Sequence, residues 1–263
     1  MVDYKKQGGL AVNIAVITGA SSGLGMEYAR QVATLSEIEE IWLIARSTEK
    51  LNQLAYSLSG KACRCLTLDL QKAECYEEYQ KQLTAAKPNI RLLINNAGFG
   101  KIGKVFDADS AEQAGMIDVN CRALTVITTL SLPYMSKGSG ILNVSSIASF
   151  APTPRMTVYS ATKAYVAAFS KALREELRSR KIQVLTVCPG PMATPFLETA
   201  NIIGSHSPAF ENLPYCQPQQ VATRSLHRLL RGKGFYTNRF IYKFYRVIAK
   251  IFPHNWVMKF SKT

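Results

Sequence analysis

Between residues 12 and 188, short apolar runs alternate with longer stretches of helical periodicity, and this alternation restricts the fold more than any other feature of the chain. Residues 12–18, 40–45, 63–68, 90–95, 140–145 and 183–188 read as buried strands, and 23–35, 49–58, 72–85, 111–135 and 158–179 as helices. A strand followed by a helix of that length rejoins its sheet as a parallel neighbour through a right-handed crossover. The expectation is one α/β domain, a doubly wound and mostly parallel sheet with helices on both faces. At 47% hydrophobic and 19% charged residues the chain has ample material for such a core, and disorder is not expected over most of it.

The first strand runs into Thr18-Gly19-Ala20-Ser21-Ser22-Gly23-Leu24-Gly25 and then into a helix. Glycines let a backbone turn tightly and approach a pyrophosphate, while the helix N-terminus offers unpaired N–H groups and a positive dipole end. The spacing G-x-x-x-G-x-G differs from the common G-x-G-x-x-G, so a merely close-packed bend stays open as the alternative reading. At the end of the second strand stands Ala45-Arg46-Ser47. An acid there would bind ribose hydroxyls; a small residue, a cation and a hydroxyl suit the 2′-phosphate of NADP(H) instead. The competing reading of Arg46 is a solvated surface cation.

Tyr159-Ser160-Ala161-Thr162-Lys163 opens a helix, and residues four apart share a helix face, so Lys163 can lie beside the phenol of Tyr159 and favour its ionisation. Alone, such a pair carries little weight. Upstream, Val144-Ser145-Ser146 ends a strand on the sheet edge where doubly wound folds bind ligands. Ser146 is placed to donate to a substrate oxygen, whereas Ser145 better fits a structural cap. Asn120 falls inside the long helix at 111–135, where its amide either fixes a kink or holds a water for proton relay.

TGASSGLG, the Asn95-Asn96-Ala97-Gly98 run, Asn120, Ser146, YSATK and Cys188-Pro189-Gly190 occur in the order and spacing of the short-chain dehydrogenase/reductase family, which the chain resembles from about residue 12 to 194. More loosely, the tail resembles the bacterial branch near hydroxysteroid dehydrogenases and 3-oxoacyl reductases. The resemblance implies a Rossmann fold with Tyr159 as general acid, Lys163 lowering its pKa and holding the nicotinamide ribose, Ser146 orienting the carbonyl and Asn120 anchoring a relay water. Gly19, Ser21, Ser22, Gly23, Leu24 and Gly25 would surround the cofactor phosphates and ribose, and Arg46 and Ser47 the 2′-phosphate. Asp69 and Leu70 would meet the adenine; Asn95, Asn96, Ala97 and Gly98 would line the cofactor channel. Pro189, Gly190 and Thr194 would cover the nicotinamide side. Some NADP-preferring relatives carry a basic residue where this chain has Ser22, so discrimination against NAD rests chiefly on Arg46 and is expected to be incomplete. The implied activity is interconversion of a ketone and a secondary alcohol, with a catalytically silent NADP(H) sensor or scaffold as the alternative. A homodimer or homotetramer is expected from the family alone.

Past Pro189 the regular pattern stops. Residues 191–220 are rich in Pro, Ser, Asn and Ala, with Phe196, Leu197, Ile202, Ile203 and Phe210 interspersed, and read as a mobile, partly apolar substrate flap. Phe240, Ile241, Phe244, Val247, Ile248, Ile251 and Phe252 then recur at helical spacing beside Arg239, Lys243, Arg246 and Lys250, until Pro253 ends the run. This basic amphipathic helix packs on its own domain or on a symmetry mate, lies on a membrane surface, or lids a bulky substrate. The organisation expected is a catalytic domain at 1–234, containing the flap, and an extension at 235–263. Flap and tail together suggest a lipophilic carbonyl or alcohol substrate.

Charge is unevenly placed. From residue 212 onward there are ten Lys or Arg and no acid, within a formal net charge of +14. Such a tail favours an anionic partner, a phosphate-bearing cofactor or a lipid surface ahead of nucleic acid, for which no binding is expected. Six cysteines without paired metal-ligand spacing suggest free thiols in a reducing compartment. With no signal-like leader and no run of the ~18 apolar residues that a membrane span needs, a soluble cytoplasmic protein is expected.

Overall fold

Successive residues of a strand face opposite sides of a sheet, and in this chain both sides are apolar, so every central strand is a nearly unbroken hydrophobic run. The computed structural model describes residues 11–58, 60–200 and 213–260. The strands are β1 (Asn13–Thr18), β2 (Glu40–Ala45), β3 (Ala62–Thr67), β4 (Asn89–Asn95), β5 (Gly140–Val144), β6 (Gln183–Val187) and β7 (Phe235–Tyr236). All pair in parallel, in the order β3-β2-β1-β4-β5-β6-β7. The order reverses between β1 and β4, which opens a crevice at the carboxyl ends of those strands.

The helices are α1 (Gly23–Ala33), α2 (Thr48–Ser57), α3 (Glu74–Ala86), α4 (Ser110–Ile117), α5 (Leu124–Ser131), α6 (Thr157–Glu176), α7 (Phe196–Thr199), α8 (Pro218–Leu230), α9 (Phe240–Ile251) and α10 (His254–Phe260). On one face of the sheet, α1, α2 and α8 bury Ile17, Leu43, Ile94 and Leu185. On the other, α3, α5 and α6 bury Val16, Trp42, Leu93 and Ile141. Burial of each such side chain contributes about 1.5–3 kcal/mol, which is what selects the strand register.

Three expectations are corrected. The helix read at 111–135 is interrupted: a π-helical turn at Asp118–Ala123 separates α4 from α5, and a 3-10 turn at Leu132–Tyr134 follows. Pro133 accounts for the second break, and the ties made by Asn120, described below, accompany the first. Next, Phe235 and Tyr236, assigned to the extension, form the seventh strand beside Thr186 and Val187, so the sheet reaches past residue 234. Finally, the described parts of the 191–220 flap are packed structure. Met192 bridges to Cys216, Leu197 and Ala200 are buried, and α8 begins at Pro218 inside that range. Pro at the first helical position explains this start. Ile202, Ile203 and Phe210 lie outside the described residues. All six cysteines are free, with Cys75, Cys188 and Cys216 buried.

Tyr79 illustrates how the second core layer is specified. Its ring meets Trp42 edge-on at 6.4 Å, and its hydroxyl pairs with Ser131 Oγ at 2.8 Å. Ser131 Oγ also donates to Ile127 O, so it keeps a partner if the phenol hydroxyl is removed. Tyr79→Phe is therefore expected to cost about 1 kcal/mol, and Tyr79→Ala about 3–5 kcal/mol; urea unfolding midpoints of the two variants check the ratio.

Candidate active site

The crevice at the strand ends is a cleft of about 1020 Å³. Its floor is made where the β1 turn meets the loop after β4. Thr18 Oγ1 accepts from the N–H groups of Asn96 (3.0 Å) and Ala97 (3.1 Å), and Asn96 Nδ2 donates to the carbonyls of Thr18 and Gly19, each at 3.1 Å. Gly19 takes φ +66°, a left-handed conformation, and a Cβ there would lie 2.8 Å from Ala97 Cα. Ser22 precedes α1 without a side-chain cap, so the first N–H groups of the helix are directed to the cleft with no hydroxyl competing for them. This backbone fits the phosphates of a dinucleotide.

Most residues singled out in the sequence line this cleft: Gly19, Ser21, Ser22, Gly23 and Leu24 at the turn; Arg46 and Ser47 after β2; Asp69 and Leu70 after β3; Asn96, Ala97 and Gly98 after β4; Ser146, Tyr159 and Lys163; and Pro189, Gly190 and Thr194 after β6. Three do not. Gly25 is buried behind the turn, where a Cβ would collide with the Gly19 carbonyl, so its part is close packing. Asn95 points into the core, its Nδ2 donating to Thr128 Oγ1 and Asn143 Oδ1 at 2.9 Å, because adjacent strand residues face opposite ways. Asn120 is 1% exposed and spends both amide donors on protein, on Phe99 O (2.9 Å) and Thr162 Oγ1 (3.0 Å), while its Oδ1 accepts from Phe99 N. Its side chain thus ties the π turn to the loop after β4 and to α6, and it positions its neighbours rather than touching the cleft.

Sequence reasoning missed Lys50, which lines the cleft from the first turn of α2; its N–H donates to the Ser47 hydroxyl that caps α2. Phe196 of the flap and Ile241 of α9, both named from the sequence, also line the cleft; unforeseen were Phe99, Met156, Leu213 and Tyr242. Nothing local in the sequence announces these four, since they come from four separate segments. Gly190 has no Cβ, and the Tyr242 ring occupies the space one would fill.

Tyr159 and Lys163 sit in the first two turns of α6, both nearly inaccessible to solvent. The Tyr159 ring lies against Gly100, where a Cβ would come within 2.7 Å of it, and packs on Phe196 at 5.7 Å. Burial pushes its phenol up to about 12, only partly offset by a hydrogen bond with Ser146. Lys163 Nζ donates to Val144 O at 3.0 Å and lies 5.7 Å from the centre of the Tyr159 ring. Burial draws its ammonium down to about 8. Desolvation is the largest influence on the phenol, which is a protonated donor at neutral pH. Ser146 Oγ accepts from Ala148 N at 3.1 Å, which fixes its rotamer at the cleft edge, while Ser145 donates to Lys163 O at 2.7 Å, the structural role read for it.

A depressed lysine makes a testable statement about stability. The folded pKa lies near 8, below the ordinary 10.5, so burying the ammonium costs stability fully below pH 8, and the cost falls away as pH rises toward 10.5. Lys163→Met carries no such cost. The urea midpoint of wild type is expected to rise relative to that of Lys163→Met between pH 7.5 and 10, roughly the window between the two pKa values; a constant difference over that range would show that the ammonium is not destabilised by burial.

Comparison with known proteins places this geometry. The family model described as short chain dehydrogenase matches residues 13–202. An oxidoreductase of Staphylococcus aureus, described as uncharacterized, is 30% identical over 233 residues, covering 87% of this chain and 96% of its own. The very-long-chain 3-oxoacyl-CoA reductase of Bos taurus is 36% identical over 191 residues, 68% of this chain and 59% of that enzyme's length. Among solved structures, a short-chain dehydrogenase from Sphingobium yanoikuyae in complex with NADPH superposes with a TM-score of 0.76 at 28% identity, covering 86% of this chain and 87% of its own. With its parallel sheet, glycine turn and Ser146–Tyr159–Lys163 cluster, this chain belongs to the short-chain dehydrogenase family of oxidoreductases.

Proposed function

We propose that this oxidoreductase interconverts a ketone and a secondary alcohol with NADP(H), and that its substrate is lipophilic. The observation that carries the reading is the convergence of the Ser146 hydroxyl, the Tyr159 phenol and Lys163 at one end of a cleft whose other end has the dinucleotide-fitting backbone. When bound, the nicotinamide supplies or accepts the hydride. Ser146, with its oxygen held by Ala148 N and its hydroxyl beside the Tyr159 phenol, is placed to donate to the carbonyl oxygen when substrate enters. Tyr159 donates its phenolic proton to that oxygen as it gains charge, and recovers one in the reverse reaction. Lys163 stays charged near neutral pH and stabilises the phenolate left behind.

The cofactor preference rests on Arg46 and Lys50 at the rim after β2, where no carboxylate ends the strand. Two cations there favour a 2′-phosphate over a bare ribose hydroxyl. A lipophilic substrate is supported by the cleft walls Phe99, Met156, Phe196, Leu213 and Ile241, which offer few partners to a polar ligand.

The test is NADPH oxidation across steroid ketones, 3-oxoacyl thioesters and small aromatic ketones, with turnover expected in at least one class; NADPH binding without any turnover would favour the sensor reading. Tyr159→Phe is expected to bind NADPH as wild type does and to lose turnover by about 10²–10⁴-fold; an unchanged rate would remove Tyr159 from the proton transfer. Arg46→Ala combined with Lys50→Ala is expected to weaken NADPH by roughly 10–100-fold while changing NADH little, and equal losses for both cofactors in a fluorescence titration would contradict the 2′-phosphate assignment.

A further inference from the structure

Helix α9 presents the wrong side to its own domain for an ordinary amphipathic helix. Its most apolar face does not pack inward. Tyr242 and Ala249 are the buried positions, with the Tyr242 hydroxyl bonded to Pro214 O at 2.6 Å, while the opposite side carries Phe240 (82% exposed), Phe244 (58%), Val247 (51%) and Ile251 (69%). These four recur at spacings of four, three and four, so they form one ridge along the helix, and Trp256 of α10 is 62% exposed beyond its end. Ridges of this size on a soluble surface mark a partner.

Charge identifies the partner. Lys243 and Lys250 flank the ridge, and no acid occurs from residue 212 to the C-terminus. At the start of α9 a second hollow of about 580 Å³ is lined by Arg224 and Arg228 of α8, Arg239, Lys243, Phe240 and Thr237. Thr237 is 5% exposed, and its hydroxyl has no hydrogen-bond partner among the described residues. Arg224 and Arg228 both act on the Tyr236 phenol, which places them around the same floor. None of the hollow's cations forms an ion pair among the described residues. A second copy fits poorly, because a two-fold contact through the ridge would set these cations against one another. Nucleic acid would leave the ridge in water. No helix among the described residues is long and apolar enough to cross a membrane, but one lying in the interface needs only such a face.

We propose that α8 and α9 form a docking surface for an anionic phospholipid bilayer. The ridge enters the boundary between headgroups and acyl chains, and the hollow holds a headgroup phosphate between Arg224, Arg228, Lys243 and the Thr237 hydroxyl. Ile241 belongs both to the rim of the cleft and to the edge of this face, so the cleft opens beside the docked surface.

The test uses the full chain and does not depend on the proposed reaction. Co-sedimentation is measured with vesicles of phosphatidylcholine alone and of phosphatidylcholine mixed with phosphatidylglycerol. Binding is expected to the mixed vesicles only and to weaken with salt. Phe244→Ser with Ile251→Ser, at positions that are mostly solvent-exposed, and separately Arg224→Gln with Lys243→Gln, are each expected to lower it by about tenfold or more while the thermal midpoint stays unchanged. Absence of wild-type binding to the mixed vesicles overturns the proposal, as does full binding by the Ser variant, which would reduce the interaction to surface charge. A wild-type dimer in sedimentation velocity that the Ser variant dissociates, without vesicle binding by either, would make the ridge a subunit seam and overturn it too.

Discussion

The close approach of two backbones, the turn after β1 and the loop after β4, is the contact on which the site depends. Thr18 Oγ1 satisfies two N–H groups of the partner loop, and Asn96 returns two bonds to the turn. Neither exchange is possible unless Gly19 and Gly25 lack side chains, since a Cβ at either would strike the opposing chain. Because β1 and β4 flank the point where strand order reverses, this clamp sets the width of the crevice at its base. Helix α1 inherits its direction from the same turn. Its open N-terminus and the proton-handling residues of α6 are thereby held on one rigid frame.

Around that frame the protein uses desolvation in two opposite senses. A buried phenol resists losing its proton and a buried ammonium gives its own up more readily, so each is moved toward neutrality. The tyrosine is kept as an acid, and the lysine remains charged only by a small margin. Its bond to Val144 O and its place beneath the ring keep that charge where a phenolate would form. Asn120 contributes from behind, linking the π turn to α6 and to the loop that carries Phe99.

Much of this was legible in the amino-acid sequence, and the parts that were not have physical reasons. The limits of β2 coincide with the reading at 40–45, because an apolar run bounded by polar residues admits only one register in a buried sheet. Ser146, Tyr159 and Lys163 met as expected because short-range spacing fixed each on its element. Asn95 and Asn96 are chemically identical neighbours, and only the alternation of the strand sends one to the core and the other to the cleft. The π turn at Asp118–Ala123 depends on ties to residues 21 and 42 positions away, which no local pattern records. For α9 the periodicity gave the helix correctly and its apolar stripe as well. It did not reveal which side the domain would take, because that choice is made by Tyr242 and the space over Gly190.

That last fit has an evolutionary consequence. Gly190 and Tyr242 come from segments 52 positions apart, yet the ring occupies the volume any side chain at 190 would need. Neither position can drift alone: a larger residue at 190 requires a smaller one at 242, and a smaller one at 242 leaves a void beside the loop that borders the cleft. The two positions are therefore expected to vary as a pair among relatives that keep a helix here. Where the helix is missing, position 190 is released from this constraint, and the cleft lacks that wall.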